Sequence, residues 1–301
     1  MSAEQLERII ELGGALLARL DALVPAAPTA PDWKSSIAFR WRKRNGRGWL
    51  EAVRHPHAIA FSDLLDVDEQ KARLEANTRH FVQGKPANNV LLTGARGTGK
   101  SSLIKAALTQ FAKRGLRLIE VDKADLIDLP DIADLIAERP ERFIIFSDDL
   151  SFESGDPGYK AMKSMLDGTI SASTENMLVY ATSNRRHLMP EKMSENLEAT
   201  HTDEGEIHPG ETTEEKISLS ERFGLWLSFY PFDQEQYLRI AEHWAEALAP
   251  GAAARDGFRQ AALLWTLERG SRSGRVAFQF AKDWAAVHGG AGPARSTSRR
   301  K

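Results

Sequence analysis

"VLLTGARGTGKSSL", residues 90–103, decides how this chain is read. Val90, Leu91 and Leu92 run into Gly94, Gly99-Lys100-Ser101 follows four residues later, and an apolar helical pattern comes next. A Gly-x4-Gly-Lys-Ser pattern between a strand and a helix reads as a phosphate-binding loop. Glycines permit positive φ and let backbone N–H groups close on phosphate oxygens. The helix behind them points the positive end of its dipole at the same anion. In such a loop Lys100 reaches the β- and γ-phosphates and Ser101 ligates Mg²⁺. The candidate cradle is Gly94, Ala95, Arg96, Gly97, Thr98, Gly99, Lys100, Ser101 and Ser102. A glycine-rich turn that matches by chance is the competing reading, and the strand before it and helix after it speak against that.

"FIIFSDDL" is the second signal. Phe143 to Phe146 read as a buried strand, followed by Ser147, Asp148 and Asp149. A carboxylate at the C-terminal end of a buried parallel strand lies where ligands bind in open α/β sheets. Asp148 would hold Mg²⁺ through water, and Asp149 would polarise an attacking water. Two acids that only cap a strand would look the same in isolation; their place downstream of a phosphate loop favours chemistry.

Around these motifs strand and helix alternate. "LRLIEVD", "NMLVYATSN" and "LWLSFYPF" are further strands, and "DIADLIAERP" and "GYKAMKSMLDG" are helices. The helix before the phosphate loop is expected over "SDLLDVDEQKARLEANTRHFVQG", with Ser62 or Asp63 as N-cap and Gly84 as stop. Alternation of this kind predicts a parallel sheet covered by helices on both faces. After Pro231 the pattern becomes all-helical, over 233–248, 257–269 and 274–288. The expected organisation is an N-terminal helix, Pro-rich linker and basic-aromatic segment over 1–55, a nucleotide-binding core over 56–231, a helical lid over 232–288 and a disordered tail over 289–301. Residues 191–218 interrupt the core with nine acids and two lysines, and read as an acidic insertion loop.

Composition bounds the rest. At 301 residues, with 42% hydrophobic and 27% charged residues, the chain is an ordinary globular one. It has no cysteine, which excludes disulfides and thiolate metal or redox chemistry. No run approaches the eighteen or so apolar residues of a membrane helix. Glu4, Glu7 and Glu11 interrupt the apolar pattern at the start, unlike a signal peptide. The expectation is a cytoplasmic protein without a membrane partner.

With these motifs in order, the sequence resembles the AAA+ P-loop ATPases over roughly residues 56–288. "GARGTGKS" is the Walker A motif and "IIFSDDL" the Walker B motif. The resemblance implies a five-stranded αβα core with a small C-terminal all-α lid, ATP and Mg²⁺ as ligands, ATP hydrolysis, and homo-oligomers formed on ATP binding. By the same resemblance "YATSN" looks like sensor 1, with Asn184 reading the γ-phosphate. "LSERFGLWLSFYPF" looks like the arginine-finger segment, with Arg222 acting on a neighbouring subunit. "RSGRVAFQF" looks like sensor 2, with Arg275 first and Arg272 second. The helix with the "D-E-Q" run would pack beside the adenine. The likeness is greatest to a bacterial family of stand-alone AAA+ proteins catalogued only as a domain of unknown function, through "DDLSFE", "TSNRRHL", "SERFGLWL" and the acidic insertion. One departure stands out: the usual Walker B acid is Glu, and Asp149 is one methylene shorter. A misplacement of about 1 Å costs on the order of 100-fold in rate, so slow turnover is expected as an alternative, with Glu153 as a second acid.

Weaker features remain. "FRWRKRNGRGW", 39–49, interleaves basic and aromatic residues as a single-strand nucleic-acid surface would. The favoured reading is a basic strand whose aromatics pack on the core. "HPH" at 55–57 reads as a turn or as part of the adenine pocket. His201 and His208 lie in the acidic insertion at a spacing that fits no defined metal site. Three functions compete: a motor that remodels a protein or nucleic-acid partner, a slow ATP-dependent switch or loader, and a small-molecule phosphotransferase. The lid and the Arg222 segment argue against the third.

Overall fold

The structure is a computed structural model. It describes residues 31–152, 156–167, 175–185, 188, 200–201, 207–208 and 219–289, with 5, 7, 8 and 12–14 near the N-terminus. The chain divides into two units, Met1–Asp32 and Trp33–Lys301. In the first, residues 5, 7, 8 and 12–14 are helical. The second holds everything that follows. Glu153, most of the acidic insertion and the tail after Gly289 lie outside the described residues.

The five expected strands are present as β3 (Val90–Gly94), β4 (Leu116–Glu120), β5 (Arg142–Ser147), β6 (Met177–Ser183) and β9 (Leu225–Phe229). They pair in parallel in the order β4-β5-β6-β3-β9. β6 therefore lies between β3, which leads into Gly94, and β5, which leads into Asp148 and Asp149. Their side chains alternate between two apolar layers. Leu92, Ile144, Phe146 and Tyr180 face one core, while Leu91, Phe143, Ile145 and Val179 face the other. A strand buried on both faces reads as a continuous apolar run, as VLL and FIIF do. The first face is covered by α1 (Asp68–Val82) and α2 (Lys100–Phe111), the second by α3 (Leu129–Ile136) and α4 (Pro157–Asp167).

The lid helices are α5 (Gln234–Leu248), α6 (Phe258–Arg269) and α7 (Gly274–His288), close to the expected spans. Asp233 and Gln236 cap α5 reciprocally, at 2.8 and 2.9 Å, which the D-x-x-Q spacing encodes. Phe258, Phe280 and Trp284 meet edge-on or tilted inside the lid, with ring centroids 5.2–5.7 Å apart. In the insertion, β7 (Thr200–His201) and β8 (Ile207–His208) form a short antiparallel pair.

The sheet extends beyond the expected core. The basic-aromatic segment 39–49, read from sequence as a basic strand whose aromatics pack on the core, lies in a hairpin of β1 (Ala38–Arg44) and β2 (Arg47–Ala52). β1 adds to β4 in parallel, so the sheet has seven strands. The turn is Asn45-Gly46, with φ 51° and 74°, the conformation a tight hairpin selects and the signal that identifies it. Phe39 and Trp41 point into the core at 0% and 2% exposure. A Cβ on Gly48, diagonal to Trp41 in the hairpin, would sit 1.9 Å from the Trp41 ring, so only glycine fits there.

The helix before the phosphate loop starts later than expected. Phe61–Asp63 is a single 3-10 turn, and Asp66 takes a left-handed φ of 60°, so α1 begins at Asp68 instead of following a Ser62 or Asp63 cap.

Candidate nucleotide site

The phosphate loop leaves β3 at Gly94 and enters α2 at Lys100. Gly94 has φ 123°, and a Cβ there would lie 1.9 Å from the Phe229 carbonyl oxygen. No other residue fits between the two strands. Thr98 Oγ1 donates to the Ala95 carbonyl at 2.8 Å and closes the loop on itself. The lid touches the loop directly: the Gly274 N–H donates to the Gly97 carbonyl at 2.8 Å.

Lys100 lies folded under the loop at 6% exposure. Its ammonium donates to the carbonyls of Gly94 and Ala95 at 2.9 and 2.7 Å and to Asn184 Oδ1 at 3.0 Å. All three acceptors are neutral, and among the described residues no carboxylate comes within ion-pair distance. Burial holds its pKa below the ordinary lysine value, and the more distant charges of Asp148 and Asp149 oppose that only in part. A buried cation whose hydrogen-bond acceptors, among the described residues, are all neutral, placed at the N-terminus of a helix, is suited to an incoming anion.

The two acids occupy the end of β5. Ser101 Oγ donates to Asp148 Oδ1 at 2.6 Å, and Thr182 Oγ1 donates to the same oxygen. Asn184 Nδ2 donates to Asp149 Oδ1 at 2.6 Å, so Asn184 spans Lys100 and Asp149. Asp149 adopts a left-handed φ of 53°, which costs a non-glycine residue about 1 kcal/mol or more. Its N–H is received by the Thr182 hydroxyl at 2.9 Å. Thr182 was not among the sequence candidates; as a threonine within an apolar strand it reads as ordinary β-sheet.

These residues line one end of a cleft of about 650 Å³. The other end is apolar: Ile59, Leu64, Leu65 and Val67 face Phe232, Ile240, Trp244 and Phe278 of the lid side. Half polar and half apolar, the cleft matches the two halves of a nucleotide. His57 of the "HPH" stretch is on the lining, as one of its two readings expects. The D-E-Q run is not; Gln70 donates instead to the Ser228 carbonyl at 2.8 Å, and Val67 just before it takes the place beside the cleft.

The structure brings together Arg96 to Ser102, Asp148, Asp149, Asn184 and Arg275 on this lining. Gly94 and Ala95 stand directly behind it through their bonds to Lys100. Arg275 is in the first turn of α7, whereas Arg272 is not on the lining. Arg222 is not on it either. Its guanidinium is hydrogen-bonded to Asp167 at the end of α4.

An oxygen-only pair, Ser101 and Asp148, suits Mg²⁺ as donor chemistry. Among the described residues no cluster of three His, Cys, Asp or Glu could hold a metal by itself. The ion would thus be shared between these two side chains and phosphate oxygens.

No curated protein sequence matches this chain. The solved structures similar to it include the RuvB Holliday junction branch migration motor of Thermotoga maritima, at 14% identity, 76% of this chain, 71% of that chain and a TM-score of 0.43. Two point-mutant structures of that RuvB match over the same shares, at 13% and 14% identity with TM-scores of 0.41 and 0.40. A family model described as "Protein of unknown function (DUF815)" matches residues 34–288, which includes the hairpin, the core and the lid. The chain belongs to this DUF815 family.

Proposed function

We propose that this chain is an AAA+ ATPase that couples ATP binding and hydrolysis to remodelling of a protein or nucleic-acid partner. The observation that carries the reading is Lys100, a buried ammonium with neutral acceptors only, facing the Ser101–Asp148 pair in a cleft with an apolar far end. Polyphosphate supplies the missing negative charge, and the apolar end takes the base. Bound Mg²⁺ would neutralise phosphate oxygens and would be held by Ser101 and Asp148. Asp149 orients and polarises the attacking water. Asn184 exchanges its present bonds for one to the γ-phosphate, and Arg275 approaches the phosphates from the lid.

Arg222 lies off the cleft of its own chain, which supports its action on a second copy. A guanidinium that reaches the transferred phosphoryl group of a neighbour is worth roughly 10³-fold or more in rate. ATP hydrolysis per chain measured against protein concentration tests this. The expected result is a rate that rises with concentration in the wild type. Arg222→Ala loses that rise, about 10³-fold at saturation, and keeps its ATP affinity. Concentration-independent hydrolysis that is unaffected by the substitution rejects the oligomeric model.

A slow switch or loader is the second reading, favoured by the short side chain of Asp149 and its bond to Asn184. It predicts tight ATP binding, turnover well below one per second, and partner binding that depends on ATP but not on its hydrolysis. The cytoplasm fits the absence of cysteine and of any helix, among the described residues, long and apolar enough to cross a membrane.

A further inference from the structure

Thr182 stands near the C-terminal end of β6 and is 1% exposed. Its hydroxyl makes two bonds of opposite sense: it donates to Asp148 Oδ1 and accepts the Asp149 N–H at 2.9 Å. Its carbonyl accepts the Leu150 N–H at 2.7 Å. One residue thus fastens three consecutive positions of the turn that leaves β5. The β5–β6 register supports this, because Ser147 pairs with Ala181 immediately before the turn.

The direction of these bonds is determined by the chemistry. A threonine hydroxyl has one hydrogen, and a backbone N–H can only donate to it. The single hydrogen is therefore committed to Asp148, whose oxygen must accept, as an ionised carboxylate does. The same Oδ1 also receives the Ser101 hydroxyl at 2.6 Å. Among the described residues both bonds to Asp148 arrive at Oδ1, so its orientation is held from the α2 side and from the β6 side together. When Ser101 turns to a metal ion, the Thr182 bond is the one that remains.

We propose that Thr182 is a positioning residue that presents Asp148 to the Mg²⁺ of bound Mg·ATP and holds the left-handed turn carrying Asp149. This rests on the nucleotide reading above. Partners that orient metal-binding groups change metal affinity by roughly 10–100-fold when removed. A threonine that only filled space in β6 would be replaceable by valine, which has its shape without the hydroxyl.

The test is ATP binding to the full chain titrated with Mg²⁺, set against ATP affinity in EDTA, for wild type, Thr182→Val and Thr182→Ser. Thr182→Val is expected to raise the half-saturating Mg²⁺ concentration roughly 10–100-fold and to leave affinity in EDTA within about 2-fold. Thr182→Ser, which keeps the hydroxyl, is expected to stay within about 3-fold of wild type throughout. Wild-type Mg²⁺ dependence in Thr182→Val overturns the proposal. So does an equal loss in the valine and serine chains, or a loss in EDTA as large as that in Mg²⁺, since either marks a packing role. If the wild type itself binds no ATP with or without Mg²⁺, the nucleotide reading fails and the proposal with it.

Discussion

Two basic stretches of this protein, the phosphate loop and the β1–β2 hairpin, treat their cations in opposite ways. In the hairpin, three cations end on carboxylates: Arg40 on Glu120 at 2.8 Å, Arg42 on Glu51 at 2.9 Å and Lys43 on Asp128 at 2.7 Å. Asp128 also receives the Trp41 indole N–H at 3.0 Å, and the aromatics are turned into the core. In the phosphate loop, Lys100 is more deeply buried and has carbonyl and amide oxygens only. A paired cation has satisfied its electrostatics within the fold. A buried, unpaired one retains most of its attraction for an anion that arrives later. Basic composition alone does not separate the two cases; the identity of the acceptors does.

The hairpin side of this contrast predicts effects on stability and none on nucleotide binding. Trp41→Ala, which empties a fully packed site, should cost about 3–5 kcal/mol in urea unfolding. Asp128→Ala, which strands the buried indole N–H and unpairs Lys43, should cost about 1–3 kcal/mol. Equal loss of ATP affinity in either variant, measured under conditions where the chain is folded, would erase the distinction between the two stretches.

The loop side predicts the reverse. Lys100→Met removes a desolvated charge and should raise the stability of the free chain by about 1 kcal/mol while abolishing tight ATP binding. The smallest effect is with pH. Burial lowers the Lys100 pKa in the folded chain below 10.5, so between the two values the unfolded chain holds more protons and stability rises with pH. Bound polyphosphate favours the ammonium form. ATP affinity should therefore fall over the same window in which the free chain gains stability, and calorimetry at two buffer ionisation enthalpies should register proton uptake on binding there. Proton release on binding would reverse the sign and remove burial of Lys100 as its cause.

Much of the fold is legible where a local pattern and its long-range role coincide. The VLL and FIIF runs are apolar throughout because both faces of β3 and β5 are covered, and the lid helices carry their own caps and periodicity. In 39–49 the strand and its inward aromatics are legible, but its pairing is not: Asn45-Gly46 marks the turn, whereas the parallel addition of β1 to β4 is a long-range contact that no local pattern announces. Asp66 broke the expected helix start through a backbone conformation that composition does not announce. At the site, Gly94 to Ser102 are legible because a single turn supplies both the geometry and the charge. The apolar end is not, since Leu64, Phe232, Trp244 and Phe278 come from three separate segments brought together by the fold. Thr182 is invisible for a related reason: its importance lies in the register between β5 and β6, not in its residue type.

The most direct test of the central claim is ATP affinity measured side by side for wild type, Lys100→Ala and Lys43→Ala at fixed Mg²⁺ and salt. The account predicts a loss of about 100-fold or more in Lys100→Ala, equivalent to roughly 3 kcal/mol, and wild-type affinity in Lys43→Ala. Wild-type affinity in Lys100→Ala would contradict it.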